Sequence, residues 1–444
     1  MACTAHKTPL LRTVAARGYA AQAGAKVASK KNYEVETTTL PNKLVVASVE
    51  SNSPISRVSV LFRAGSRNEN YDNLGATHLL RVTAGLSTSN SSGFSLTRNI
   101  QQVGGNLSVT SDRETIEYNV ELTRDKLDTG LKYLNDVSSH TIFKPWEISD
   151  NLYRVKEDLA RVTPQVRAVD LLHRAAFRSG LGNSIFCAKH HIGKISPETL
   201  QHYVASNYTT NRAAVVGVGV DHQLLVGYAK NLGVDSGAGN QNASKYYGGD
   251  LRVDKSGDLA HVAVGTQGAG WANPKEALAF AVLQQVAGTG PATKRGNYGG
   301  ALGKLVSSAL GDKPFGFTAL NASYSDDGLF GFVLTADGRD IGKAIEAAVK
   351  ALKQGSVSNS DVTRAKEQLR SAYLSVYDTD SGILSDLGQQ ALLAGSVTSP
   401  SGVISLLDSI TSSDVNAAAK KVASGNWSVG AVGYLANVPY ANQL

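Results

Sequence analysis

The chain writes one pattern twice. Val58-Ser59-Val60-Leu61-Phe62 has the residue types of a strand, and a turn at Ala64-Gly65, a polar stretch and a helical run through Leu79, Val82 and Ala84 follow it. The same order returns 204 residues later, with the strand Val262-Ala263-Val264-Gly265 and the glycines of Gly268-Ala269-Gly270. The polar run Asn273-Pro274-Lys275-Glu276 and a helix through Leu278, Val282 and Val286 complete it. A second block repeats as well. Ile116, Tyr118, Val120 and Leu122 alternate with Glu117, Asn119 and Glu121, as in a half-buried strand entered from Ser111-Asp112. Its counterpart is Leu329-Phe330-Gly331-Phe332-Val333-Leu334 behind the turn Ser325-Asp326-Asp327-Gly328. Each strand leads into an amphipathic helix, one on Leu127, Leu131, Leu134 and Val137, the other on Ile341, Ile345, Val349 and Leu352 with Gly355 as a stop. A longer helix follows each, with Lys156-Glu157-Asp158-Leu159 in one and Lys366-Glu367-Gln368-Leu369 in the other, 210 residues apart. Offsets of 204 to 210 residues with matching element order mean two homologous halves, not one core of 444 residues.

The seam falls at residues 234–249, a Gly/Asn/Ser-rich linker that separates an N-terminal domain, residues 34–233, from a C-terminal domain, residues 250–444. Neither half alternates strand and helix strictly, so the expected class is α+β, each half a β-sheet covered by helices on one face. With 42% hydrophobic and 18% charged residues the chain is globular, and its two cysteines, Cys3 and Cys187, exclude a disulfide framework.

The formal net charge of +7 is concentrated at the start. Lys7, Arg12, Arg17, Lys26, Lys30 and Lys31 precede the first acid, Glu34, and the remainder sums to +1. A basic, acid-free head with Leu10, Leu11 and Val14 on one helix side has the composition of a mitochondrial transit peptide, and no secretory h-region is present. Arg17-Gly18-Tyr19-Ala20 places the expected cleavage between Tyr19 and Ala20, leaving residues 20–33 as an N-terminal extension. The nearly neutral remainder argues against a nucleic-acid partner. The longest uninterrupted apolar run, eight residues from Ala213, reads as a buried strand, not a membrane span.

These residues resemble the pitrilysin-type metallopeptidase family, M16. Phe62-Arg63-Ala64-Gly65-Ser66-Arg67-Asn68-Glu69, with Leu74-Gly75-Ala76-Thr77-His78-Leu79-Leu80 after it, is similar to the family's opening strand, glycine turn and helix. Val215-Val216-Gly217-Val218-Gly219-Val220-Asp221 resembles the close of its first domain. Phe317-Thr318-Ala319-Leu320-Asn321-Ala322-Ser323-Tyr324-Ser325-Asp326-Asp327-Gly328-Leu329-Phe330-Gly331 resembles the family's non-catalytic branch, the core proteins of the respiratory cytochrome bc1 complex. The tail Asn416-Ala417-Ala418-Ala419-Lys420-Lys421-Val422-Ala423-Ser424-Gly425 does so too, and the likeness runs over about residues 33–444. It implies two homologous pitrilysin-like domains.

An active member of that family carries His-x-x-Glu-His on a helix, two zinc ligands one turn apart with the general base between them. A distal glutamate completes the ligands. Here the run reads His78-Leu79-Leu80-Arg81-Val82. Arg81, which cannot accept a proton, stands at the base's position, and Val82, without a lone pair, at the second ligand's. Glu157 is nearest by spacing to the distal ligand. The expectation is therefore no catalytic residue, no metal, and His78 as a structural histidine. Cys187-Ala188-Lys189-His190-His191 lacks a second cysteine pair and reads as a buried thiol beside a polar turn, with Ser196-Pro197-Glu198 opening the next helix. The glycine-rich stretch of residues 288–303 fits neither a P-loop nor a dinucleotide turn. It is interrupted by Pro291, Lys294 and Arg295 and is expected to be a surface or subunit-contact loop.

The resemblance thus implies a structural subunit and not an enzyme, peripheral on the matrix side of the mitochondrial inner membrane. Its implied partners are a homologous core protein, cytochrome b, cytochrome c1, the iron–sulfur protein and the small subunits of a dimeric complex. Nothing in the sequence offers ligand sets for haem or an iron–sulfur cluster, so those cofactors would belong to the partners. The alternative is the non-catalytic, substrate-binding alpha subunit of the mitochondrial processing peptidase, which the altered glycine stretch disfavours. An active zinc endopeptidase is excluded by Arg81 and Val82.

Overall fold

Alternating apolar residues lay the two repeats down as two sheets. The computed structural model describes residues 34–237, 239, 243–290 and 300–444. The expected cleavage site at Tyr19 and Ala20 lies outside the described residues, as do Pro291, Lys294 and Arg295 and part of the seam. The first sheet joins β1 (Val35–Thr39), β2 (Val45–Val49), β3 (Ile55–Phe62), β4 (Asn106–Ser111), β5 (Ile116–Thr123) and β6 (Ala213–Val218) in the order β1-β2-β6-β3-β5-β4. The second joins β7 (Gly249–Asp254), β8 (Leu259–Gln267), β9 (Gly316–Ser323), β10 (Gly328–Asp337) and β11 (Ser428–Gly433) in the order β7-β11-β8-β10-β9. Leaving β1 aside, the two orders correspond strand for strand. The pairs β2–β6 and β7–β11 are parallel and all the others antiparallel. The repeat seen at Val58 and Val262 is therefore β3 against β8, and that seen at Ile116 and Leu329 is β5 against β10.

The helices repeat in the same way. The first half has α1 (Ala76–Thr83), α2 (Gly93–Gln102), α3 (Leu127–Ser139), α4 (Pro145–Arg161), α5 (Pro164–Phe177), α6 (Pro197–Asn207) and α7 (His222–Lys230). The second has α8 (Pro274–Ala287), α9 (Ala301–Leu310), α10 (Ile341–Lys353), α11 (Asn359–Val376), α12 (Asp380–Gln389), α13 (Pro400–Ser409) and α14 (Ser412–Ser424). The Ser196 side chain caps α6 by accepting from Thr199 N–H, with Pro197 in the first turn, as the local sequence predicts. Gly355 follows α10 at φ +61°, a left-handed stop open to glycine.

One face of each sheet meets its own half's helices. Val58, Val60 and Phe62 bury against Leu79 and Leu134, while Val262, Val264 and Phe332 bury against Phe280 and Ile345. Full burial of such a side chain contributes about 1.5–3 kcal/mol relative to leaving it exposed.

The other face of each sheet is covered by a helix of the opposite half. α5 lies across β7, β11 and β8, with Ala168, Leu172 and Phe177 against Ala263, Leu329, Val333 and Val432. Its backbone comes so close to β11 that a Cβ on Gly430 would sit 2.3 Å from Ala168 O and Leu172 N. In return α12 lies on β6, β3 and β2. Arg57 meets Asp380 at 3.5 Å, and Arg63 donates from Nε to Leu392 O at 2.8 Å. This exchange explains why β10 is apolar on both faces while β5 alternates. The far face of β10 packs on α5, whereas the far face of β5 carries Glu117, Asn119 and Glu121. Among the described residues no helix is long and apolar enough to cross a membrane.

Candidate functional site

The degenerate motif lies on α1. Its entry residue, Gly75, has φ +94°, and a Cβ there would come within 2.7 Å of Cys187 Sγ, so both conformation and space require glycine. Gly75 has no side chain to cap the helix. The Glu69 carboxylate does so instead, accepting from Gly75 N–H and Thr77 N–H, each at 2.8 Å. Burial pushes the Glu69 carboxyl up to about 7 in spite of those two bonds.

His78, 1% exposed, is held at both ring nitrogens. Nδ1 accepts from Cys187 N–H at 3.0 Å, which fixes the hydrogen on Nε2, and Nε2 donates to Asp158 Oδ2 at 2.8 Å. The ring is the neutral tautomer, and burial together with the nearby Arg81 charge holds its pKa below the usual value. Arg81 pairs with the same Asp158 oxygen. Partial burial draws Asp158 upward, but the bonds from His78 and Arg81 outweigh it and keep the carboxyl below its ordinary range. Val82 packs half-buried against the first-half core.

The carboxylate opposite His78 is thus Asp158 and not Glu157, which spacing had favoured. One residue along a helix turns the side chain by about 100°. Val155 and Leu159 face the core, so Asp158, three residues after Val155, flanks that face. Glu157 projects into solvent and bonds Arg161 at 2.5 Å. The helix phase carried this signal. These residues do not fit zinc: His78 has no lone pair left, Arg81 places a permanent cation at the carboxylate His78 meets, and Val82 has no donor atom. Among the described residues no group of three His, Cys, Asp or Glu side chains is placed to hold a metal ion.

Cys187 is a buried free thiol, pushed up to about 11 chiefly by burial, and its backbone N–H is what orients His78. His191 Nδ1 bonds Leu74 O at 3.1 Å, so the Cys/His run gathers no ligand cluster.

A larger polar assembly joins the halves through their equivalent hairpin turns. Arg67, 8% exposed, donates from Nη1 to Glu114 Oε1 at 2.6 Å and to Asp326 Oδ1 at 2.8 Å, and from Nη2 to Asp326 Oδ2 at 2.5 Å. Ser325 N–H donates to Glu114 Oε2 at 2.9 Å. Glu114 belongs to the β4–β5 turn and Asp326 to the β9–β10 turn. Beside them, His173 of α5 accepts at Nε2 from the Tyr324 hydroxyl at 2.8 Å, its Nδ1–H being given to Val169 O. The motif residues Arg67, Ser325 and Asp326 all stand out in sequence, but nothing there shows that they meet.

Residues 45–189 match the family described as Insulinase (Peptidase family M16), and residues 194–369 match Peptidase M16 inactive domain. The chain is 41% identical over 419 residues to Cytochrome b-c1 complex subunit 2, mitochondrial, of Homo sapiens, covering 93% of this chain and 92% of that protein. It is 40% identical over 418 residues to the protein of the same description from Rattus norvegicus, with the same coverage. To Probable mitochondrial-processing peptidase subunit alpha-1, mitochondrial, of Arabidopsis thaliana it is 30% identical over 417 residues, covering 91% of this chain and 83% of that protein.

Proposed function

The chain belongs to peptidase family M16, and within that family we propose that it serves as the non-catalytic core subunit 2 of ubiquinol–cytochrome c reductase, respiratory complex III. The observation that carries this reading is the state of the α1 site. Both nitrogens of His78 are bonded, and the Arg81 guanidinium occupies the carboxylate beside it. The site is an ion-paired brace between α1 and α4, with neither a metal ligand set nor a proton acceptor for water. The whole-length likeness to subunits 2 of that complex, at 41%, exceeds the 30% likeness to a processing-peptidase alpha subunit.

In this reading the chain is a scaffold for the assembly and stability of the complex in mitochondrial electron transport. It pairs with core protein 1 and contacts cytochrome b, cytochrome c1, the iron–sulfur protein and small subunits, within a dimeric complex. It sits peripherally on the matrix side of the inner membrane and binds no cofactor itself, the haems and the iron–sulfur cluster belonging to its partners. The basic head addresses it to the matrix and is cut between Tyr19 and Ala20. A native gel of detergent-solubilised inner membranes tests the reading. The chain is expected to migrate with cytochrome b and cytochrome c1. Migration as a soluble heterodimer free of both would overturn it in favour of the processing-peptidase alpha subunit.

A further inference from the structure

A cavity of about 490 Å³ opens between the halves beside the His78 brace, with Glu69, Gly75 and Cys187 lining its near side. That volume lies within the range of small-molecule sites. One wall is the stripe Arg167, Leu171, Arg174 and Arg178, spaced by four, three and four residues along α5 and its end, so that all four share one side. Lys189 and Phe186 face it from the segment before α6, and Val253 of β7 and Val432 of β11 line it from the second sheet.

The charges around this cavity are unbalanced. Arg174 and Lys189 are exposed and have no carboxylate partner among the described residues. Arg178 lies over the Tyr247 ring, 4.7 Å from its centre, also without a carboxylate among the described residues. Arg167 gives one N–H to Leu159 O at 2.6 Å, while its Nε is buried without a partner. Two carboxylates line the cavity, and both are engaged elsewhere. Asp170 accepts from Arg113 at 2.7 Å and from Ser184 at 2.6 Å, and Glu69 caps α1. The rest of the lining is largely hydrocarbon, from Leu159, Leu171, Phe186, Val253 and Val432.

A hydrocarbon-walled cavity with an excess of cations at its mouth complements one chemistry, an apolar chain carrying an anionic head. We propose that this cavity binds an amphiphilic anion. Arg174, Arg178 and Lys189 hold its carboxylate or phosphate, and its alkyl chain lies between α5 and the valines of the second sheet. The chemistry is shared by a free fatty acid and by a lipid phosphate.

The test uses the folded full-length chain and two photoreactive probes, a diazirine-bearing alkyl carboxylate and the matching alkyl phosphate, below their micellar concentrations. Adducts are expected on residues of the cavity wall, mapped by mass spectrometry. In competition with unlabelled alkyl carboxylates from six to twelve carbons, affinity is expected to rise about fourfold per methylene. Preference for the carboxylate points to a fatty acid and preference for the phosphate to a lipid phosphate, and either supports the proposal. The combined variant Arg174→Glu, Arg178→Glu, Lys189→Glu changes exposed side chains and is expected to keep the melting temperature while weakening binding tenfold or more. Equal affinity for an alkyl alcohol of the same length, or for inorganic pyrophosphate without a chain, would overturn the proposal. So would unchanged affinity in the variant, adducts confined to other surfaces, or preferential binding of an acidic peptide.

Discussion

Glu69 is a carboxyl group in a place that favours its neutral form. It is 5% exposed and its folded-state pKa is about 7, against an ordinary 4.5. A group raised in this way contributes stability that is fully present below its unfolded pKa and is lost as pH rises through the folded value. The window is therefore from about pH 4.5 to just above 7, and a shift of that size corresponds to about 3 kcal/mol. Glu69→Gln has no such titration. Urea unfolding midpoints taken from pH 5 to 8 are expected to fall for the wild type and to stay flatter for the variant; parallel curves would show that Glu69 does not titrate in this window. The His78 brace makes a second prediction at this scale. The wild-type chain, dialysed against zinc and then washed, is expected to retain no stoichiometric metal. Arg81→Glu with Val82→His removes the blocking cation, supplies a second imidazole one turn from His78, and leaves Asp158 opposite. Zinc uptake measured by atomic absorption is expected to rise towards one equivalent. One equivalent in the wild type would refute the reading of His78 as a closed structural residue.

Among the elements, α5 and α12 set the architecture, and a glycine tests the α5 contact. Gly430→Val places a side chain 2.3 Å from Ala168 O and Leu172 N, backbone atoms of a packed helix that cannot swing aside. Overpacking of this kind destabilises by about 1–3 kcal/mol or more. Gly227, exposed within α7 and with nothing within 4 Å of its added Cβ, is the control. There Gly→Ala is expected to stabilise by about 0.5–1 kcal/mol through helix propensity alone. Thermal melts of the two variants should move in opposite directions. The strands and the duplication were legible in the sequence because a period of two is a local property: Ile116, Tyr118, Val120 and Leu122 bury as their alternation says. The exchange of helices was not. The apolar stripe of α5, with Ala168 and Leu172, says that a face is buried but not which sheet buries it. Spacing along the chain points to Glu157, whereas the phase of the helix turns Asp158 towards His78. The Arg67–Asp326 pair spans 259 residues, and no local pattern encodes such a meeting.

At the scale of the whole molecule, the two halves are homologous in sequence but not separate in packing. Residues Val35–Leu444 form one unit. Each sheet has a face that the other half's helix covers, and the buried Arg67 draws its compensating charge from both halves, from the buried Glu114 and from the more exposed Asp326. A chain ending at residue 237 would keep β3 and β6 but lose α12 from them, and would present Ala168, Leu172, Ala176 and Phe177, each at most 1% exposed in the whole chain, to water. Arg67 would also retain Glu114 but lose Asp326. Large exposed apolar faces drive association. The fragment of residues 34–237 expressed alone is therefore expected to aggregate, or to melt without cooperativity. Co-expressed with a fragment of residues 243–444, it is expected to give a soluble complex of the two pieces with a single cooperative transition, because the exchange of α5 and α12 needs no continuous linker. Size-exclusion chromatography and calorimetry of the two preparations decide the matter. If the first fragment alone were monomeric and melted cooperatively, the exchanged helices would be decoration on two self-sufficient domains. If only the pair folds, the duplicated half has become one mutually dependent fold, in which neither sheet can lose the other's helix without exposing its own core.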